Sequence, residues 1–133
     1  MNLQLLLPLL ITSLTTIIGW FMLHRFTQRR DLENKKKDLR INYLIEAWKK
    51  LEYASNRNIN EEEFIEFMEK PIALIQLFGT NTQIKYAEQI ANAIKVEGNA
   101  NLNKILEDLR SDLRNELNIE KTDTKLLMIR YKK

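Results

Sequence analysis

LQLLLPLLITSLTTIIGWFML, residues 3–23, holds no charged side chain across its 21 positions. A helix of that length is about as long as the ~30 Å hydrocarbon core is thick, at ~1.5 Å rise per residue. The run predicts a transmembrane anchor over residues 1–24, and everything after it is charged and helix-patterned. The fold class expected is all-α: one N-terminal transmembrane helix followed by a small bundle of four to five helices. A cleaved secretory signal fits less well. Such a signal has a basic lead-in, an apolar stretch of ~7–15 residues and a small-residue cleavage site. Here only Met1 and Asn2 precede the run, and no Ala-x-Ala follows it.

Orientation follows from the flank. Between His24 and Lys37 stand six basic residues, Arg25, Arg29, Arg30, Lys35, Lys36 and Lys37, opposed by Asp31 and Glu33. Lys and Arg are retained on the cytoplasmic side of a membrane helix. Residues 25–37 therefore read as a helical collar at the membrane surface, with the N-terminus outside and the C-terminal part cytoplasmic. Trp20, Phe21 and Phe26 fall where an interfacial aromatic belt belongs. His24, the sole histidine, is most simply an interfacial residue.

Inside the anchor the polar positions are not scattered. Gln4, Pro8, Thr12, Thr15, Thr16 and Gly19 recur at spacings of three and four, so they share one stripe. Thr12/Thr16 and Thr15/Gly19 are small-xxx-small pairs, which let helices approach closely in lipid. Thr12, Thr15, Thr16 and Gly19 are thus the candidate residues for helix association. The competing reading is that Ser and Thr are tolerated in membrane helices by bonding their own backbone.

Composition narrows the rest. Gly totals three and Pro two in 133 residues, so helix formers dominate. With no Cys and one His, a single chain cannot build a thiolate or histidine metal site or a Ser-His pair. No catalytic, cofactor or metal residue is expected, and the chain does not read as an enzyme. Residues 38–119 carry ten basic residues against fourteen acidic, and residues 120–133 five against two. A net acidic body argues against nucleic acid, which calls for a basic footprint.

Helical periodicity starts after the collar. Ile41, Leu44, Trp48 and Leu51 mark one face of a helix over 38–55, with Ile45, Ala47 and Ala54 flanking it. Asn60-x-x-Glu63 is a capping-box variant, and Phe64, Ile65, Phe67 and Met68 supply the next buried side. The acids Glu61, Glu62 and Glu63 suit a helix N-terminus. Pro71 should restart the chain, and Gly79 should close the PIALIQLF helix as a left-handed cap. Thr80-x-x-Gln83 is a second capping box; Ile84, Ala87, Ile90, Ala91 and Ile94 form the stripe behind it. A last helix over 101–117 buries Leu102, Ile105, Leu106, Leu109, Leu113 and Leu117. Residues 38–119 thus form one small cytoplasmic domain, its core expected around Trp48, Phe64, Phe67, Phe78 and the Leu/Ile set. A domain this small buries only ~60–65% of its unfolded surface, which favours burial against a partner. In the basic tail, 120–133, Leu126, Leu127, Met128 and Ile129 fit packing on this or another copy better than membrane contact.

Three runs, DLRINYLIEAWKKLEYASNR (38–57), IALIQLFGTNTQIKYA (72–87) and LNKILEDLRSDLRNEL (102–117), together resemble a family of small bacterial membrane proteins of unassigned function. These proteins carry one N-terminal membrane helix and a helical domain with QLFG-T/S-x-x-Q and LRxDLRxEL segments. The resemblance implies a bacterial inner-membrane location, and it adds no activity and no site residues. Two functions remain open. One is a non-enzymatic, self-associating anchor that presents its domain to a cytoplasmic protein, with membrane lipid and further copies as its other partners. The other is an oligomeric membrane effector, pore-forming or membrane-perturbing, accessory to a phage-defence or toxin system.

Overall fold

The computed structural model describes residues 2–129. Among them the protein is all-helical, with no strand. The helices are α1 (Leu3–Asn56), α2 (Glu61–Phe64), a π-helical turn (Ile65–Glu69), α3 (Lys70–Phe78), α4 (Asn81–Glu97) and α5 (Asn103–Glu116). The chain divides into two compact units, Met1–Asp38 and Leu39–Lys133.

α1 is one helix of 54 residues. The apolar run, the basic segment and the first packed segment are continuous because no Gly or Pro stands between Leu23 and Asn56 to interrupt the ladder. Pro8 sits in the second turn of α1, where its missing N–H removes one bond near the helix start. The part of α1 in the first unit buries nothing. It contains the one stretch among the described residues long and apolar enough to cross a membrane, with mean hydropathy 2.0.

The second unit has an aliphatic core. Ile41, Leu44, Ala47 and Leu51 from α1 meet Met68, Ile75, Ala87 and Ile90, and the α5 stripe Ile105, Leu106, Leu109 and Leu113. The face α1 turns inward differs from the expected one by one position: Ala47 is buried, while Trp48 is half-buried and flanks the core. Its indole reaches past the core edge, and Nε1 donates to the Leu106 carbonyl at 3.0 Å. That bond gives the ring's polar end a partner, which a fully buried position among Leu and Ile would deny it. Phe64, Phe67 and Phe78, expected in the core, are likewise half-buried. Two of them stack on α1 tyrosines instead, Phe78 on Tyr43 at 4.6 Å and Phe67 on Tyr53 at 4.1 Å.

The segment around Pro71 departs most from expectation. Helix runs without a break from Glu61 to Phe78. The Lys70 N–H donates to the Ile65 carbonyl five residues back, and Lys70 itself is helical (φ −60°, ψ −49°). In an α-helix the Pro71 ring would crowd the carbonyl four residues earlier. Opening one turn ahead of the ring accommodates it without ending the helix. The extra residue also advances the side-chain phase, which is why Ile65, expected inside, is 54% exposed while Met68 and Pro71 are buried.

Gly79 is extended (φ −76°, ψ 164°), not left-handed. Thr80, the next residue, is the extended N-cap of α4, so the chain passes from one helix to the next with no residue spare for a left-handed turn. Glycine is required here by space. A Cβ would lie 2.6 Å from the Ile75 carbonyl oxygen and 3.1 Å from Gln83 Oε1. Both capping boxes form: Asn60 with Glu63, and Thr80 with Gln83. Gly98 takes the left-handed conformation (φ 69°) at the end of α4. α5 ends at Glu116, one residue before Leu117, which is 47% exposed rather than part of the stripe.

After α5 the chain runs without helix or strand over 119–129. Leu126 and Met128 pack on the core, and Leu127 and Ile129 face out. The remaining tail residues, Arg130, Tyr131, Lys132 and Lys133, lie outside the described residues.

Candidate functional site

Thr12, Thr15, Thr16 and Gly19 all lie exposed on the apolar part of α1. Their hydroxyls are spent locally. Thr12 Oγ1 donates to the Pro8 carbonyl at 2.7 Å, Thr15 to Ile11 at 3.0 Å and Thr16 to Thr12 at 2.7 Å. Back-bonding of this kind satisfies the hydroxyl within its own helix. A Cβ on Gly19 would meet only open space. The stripe is a smooth, small-residue surface rather than a row of free hydroxyls.

The collar follows on the same helix. Arg25, Arg29, Arg30, Lys35, Lys36 and Lys37 are all exposed. Where the apolar run meets the collar, Trp20 stacks on His24 (5.6 Å, 3° between planes). The Gln28 amide lies 3.0 Å from His24 Nε2, and the Arg25 guanidinium lies 6.0 Å from the Phe21 ring centre. Aromatic and cationic groups thus alternate over this turn, the arrangement expected of side chains that bridge an apolar layer and water.

The second unit holds a polar clamp that sequence reasoning missed. Arg40 on α1 donates through Nη2 to Asp112 Oδ2 on α5 (2.7 Å) and through Nε to the Phe78 carbonyl at the end of α3 (2.9 Å). Its Nη1 reaches Glu116 at 3.5 Å. Asp112 Oδ2 also accepts from Gln83 Nε2 at 3.1 Å. Gln83 is fully buried, and its Oε1 accepts the Thr80 N–H at 2.9 Å. One carboxylate therefore ties α1, α4 and α5 together, and one arginine adds the end of α3. The three runs quoted above meet here, each contributing at least one member. Spacing alone marked Gln83 only as a capping residue. The signal overlooked was an uncapped acid, Asp112, between leucines on α5 with no basic neighbour three or four residues before it.

A second charged group joins α1 to the π-helical turn. Lys50 donates to Glu46 at 3.0 Å and to Glu66, which also accepts from Lys70. Burial pulls the Lys50 ammonium pKa down, but its hydrogen bonds to Glu66 and Glu46 outweigh that and hold it above its ordinary 10.5. Hydrogen bonds from Lys50 and then Lys70 hold the Glu66 carboxyl below its ordinary 4.5, against a smaller opposing effect of burial. No group of three or more His, Cys, Asp or Glu among the described residues is arranged to hold a metal ion.

Set against known proteins, the chain matches no protein-family model, no curated protein and no solved structure.

Proposed function

We propose that this protein is a non-enzymatic, single-pass membrane anchor that self-associates and presents its helical domain to a cytoplasmic protein. The observation that carries the reading is the uncharged run at residues 3–23, none of it buried, followed at once by a collar with six basic residues. An apolar surface of that length left uncovered in water is strongly unfavourable, and lipid is the solvent that suits it. The basic flank orients the domain to the cytoplasm, and the resemblance of the three runs above implies a bacterial inner membrane. Self-association rests on the Thr12, Thr16 and Gly19 surface.

Two measurements test this. A C-terminal alkaline phosphatase fusion should be inactive, and an active one would overturn the topology. Crosslinking in native membranes should detect oligomers for the wild type and for the opposite-face variant Leu10→Ile, and fewer for Gly19→Leu. A monomeric wild type would remove the basis for self-association.

A further inference from the structure

We propose that the cleft between α5 and the segment 119–129 binds a phosphate-bearing anion through Arg110, Arg114, Lys121 and Lys125. These four cations line one open cavity of about 360 Å³, within the ~300–1,000 Å³ range of small-molecule sites. Two come from successive turns of α5 and two from the segment that crosses it.

The arginines are held in place by neutral partners. Arg110 Nη2 donates to the Thr124 carbonyl at 2.5 Å. Arg114 donates to the Glu120 carbonyl through Nε at 2.8 Å and Nη2 at 2.6 Å. These bonds orient both guanidiniums and tie the segment to α5, yet they leave most of the five donors on each arginine unused. Among the described residues, none of the four cations makes an ion pair. Unpaired cations occur elsewhere in the domain, but these four are gathered around one cavity.

Charge selects the ligand. Glu107 and Asp123 also line the cavity, so four cations face two carboxylates and an excess of two positive charges remains. A phosphate monoester carries about −1.5 to −2 at neutral pH. Arginine forks match its oxygens in geometry as well as in charge. Ser111 adds a hydroxyl from α5, and Thr122 Oγ1, 3.0 Å from Thr124 Oγ1, keeps the crossing segment turned at the rim. Because the ligand would bridge α5 and the segment, its binding should also fasten the segment down. The phosphate could come from a soluble compound or from a lipid headgroup.

The test uses the full chain in phosphatidylcholine nanodiscs, titrated with pyrophosphate at low salt by calorimetry. Saturable binding is expected, weakened on the order of tenfold or more in Arg110→Gln/Lys121→Gln, since two charge-assisted contacts are lost. Asp123→Asn should bind more tightly than the wild type, a gain that misfolding cannot mimic. The collar variant Arg29→Gln/Arg30→Gln should bind like the wild type. In phosphatidylglycerol nanodiscs, a lipid source predicts that the headgroup occupies the cleft and abolishes pyrophosphate uptake. A soluble source predicts uptake unchanged, and either result supports the site. Three results would overturn it: no saturable uptake in phosphatidylcholine, uptake by Arg110→Gln/Lys121→Gln within twofold of the wild type, or no tightening in Asp123→Asn.

Discussion

Replacing Asp112 with alanine tests the clamp directly. The substitution removes the acceptor of two bonds, one from Arg40 at 2.7 Å and one from Gln83 at 3.1 Å. The Gln83 side chain is fully buried, and among the described residues Asp112 is the only partner of its Nε2. A buried donor stranded in this way costs ~1–3 kcal/mol. The Arg40 pair is partly exposed, with side-chain exposures of 25% and 19%, and solvent screening holds its share to ~1 kcal/mol or less. The total expected loss is therefore about 1–4 kcal/mol, against ~5–15 kcal/mol for a whole small domain. At ~4–8 °C per kcal/mol for a domain near this size, the midpoint should fall by roughly 5–30 °C. The chain has two tryptophans, so in a Trp20→Phe background Trp48 fluorescence reports the domain alone. Its indole bond to α5 makes it sensitive to the interface that the clamp secures. Gln83→Leu combined with Asp112→Leu should cost less than the two singles added, because the stranded donor is gone. A loss under ~0.5 kcal/mol for Asp112→Ala would refute the clamp, since that is the range of an ordinary surface change.

Leu109→Ala should destabilise the domain by ~2–5 kcal/mol by opening a cavity at a fully buried site, whereas Leu117→Ala should change it by less than ~1 kcal/mol; equal urea midpoints would sink the assigned stripe. Gly79→Ala should cost ~1–3 kcal/mol, because its Cβ presses on backbone oxygen; a gain in stability would show that the junction relaxes freely. Glu66, with its pKa lowered on folding, contributes stability that is present above about 4.5 and lost as pH falls through its folded value. Lys50, with its pKa raised, contributes below 10.5, and that share is lost as pH rises through its folded value. Glu66→Gln should therefore flatten the acid limb of a stability-against-pH profile, and an unchanged limb would exclude this cluster as its source.

Much of the architecture was legible in the residues alone. Uncharged length in 3–23 defined the apolar helix, because length and hydropathy are properties of the chain and need no neighbours. The absence of Gly and Pro after Leu23 made the apolar run and the basic segment one helix. Asn60/Glu63 and Thr80/Gln83 formed their capping boxes, since both partners lie three residues apart and meet through local backbone geometry. Where reading failed, the deciding contact was distant. Whether Ala47 or Trp48 faces inward depends on an acceptor at Leu106, 58 residues away. Pro71 locally disfavours helix, yet burial of Met68, Pro71 and Ile75 in a common core favours a continuous rod, and a widened turn satisfies both. Gly79 suits a left-handed cap by local statistics, but the Ile75 carbonyl and Gln83 leave it no room for any side chain. The clamp and the basic cleft were invisible in the same way. Arg40 lies 72 residues from Asp112, and Arg110 meets the 119–129 segment only because the chain folds back along α5. Sequence determines what each stretch can become on its own; packing decides which groups share a desolvated or charged environment, and that sharing is a property of distance in space.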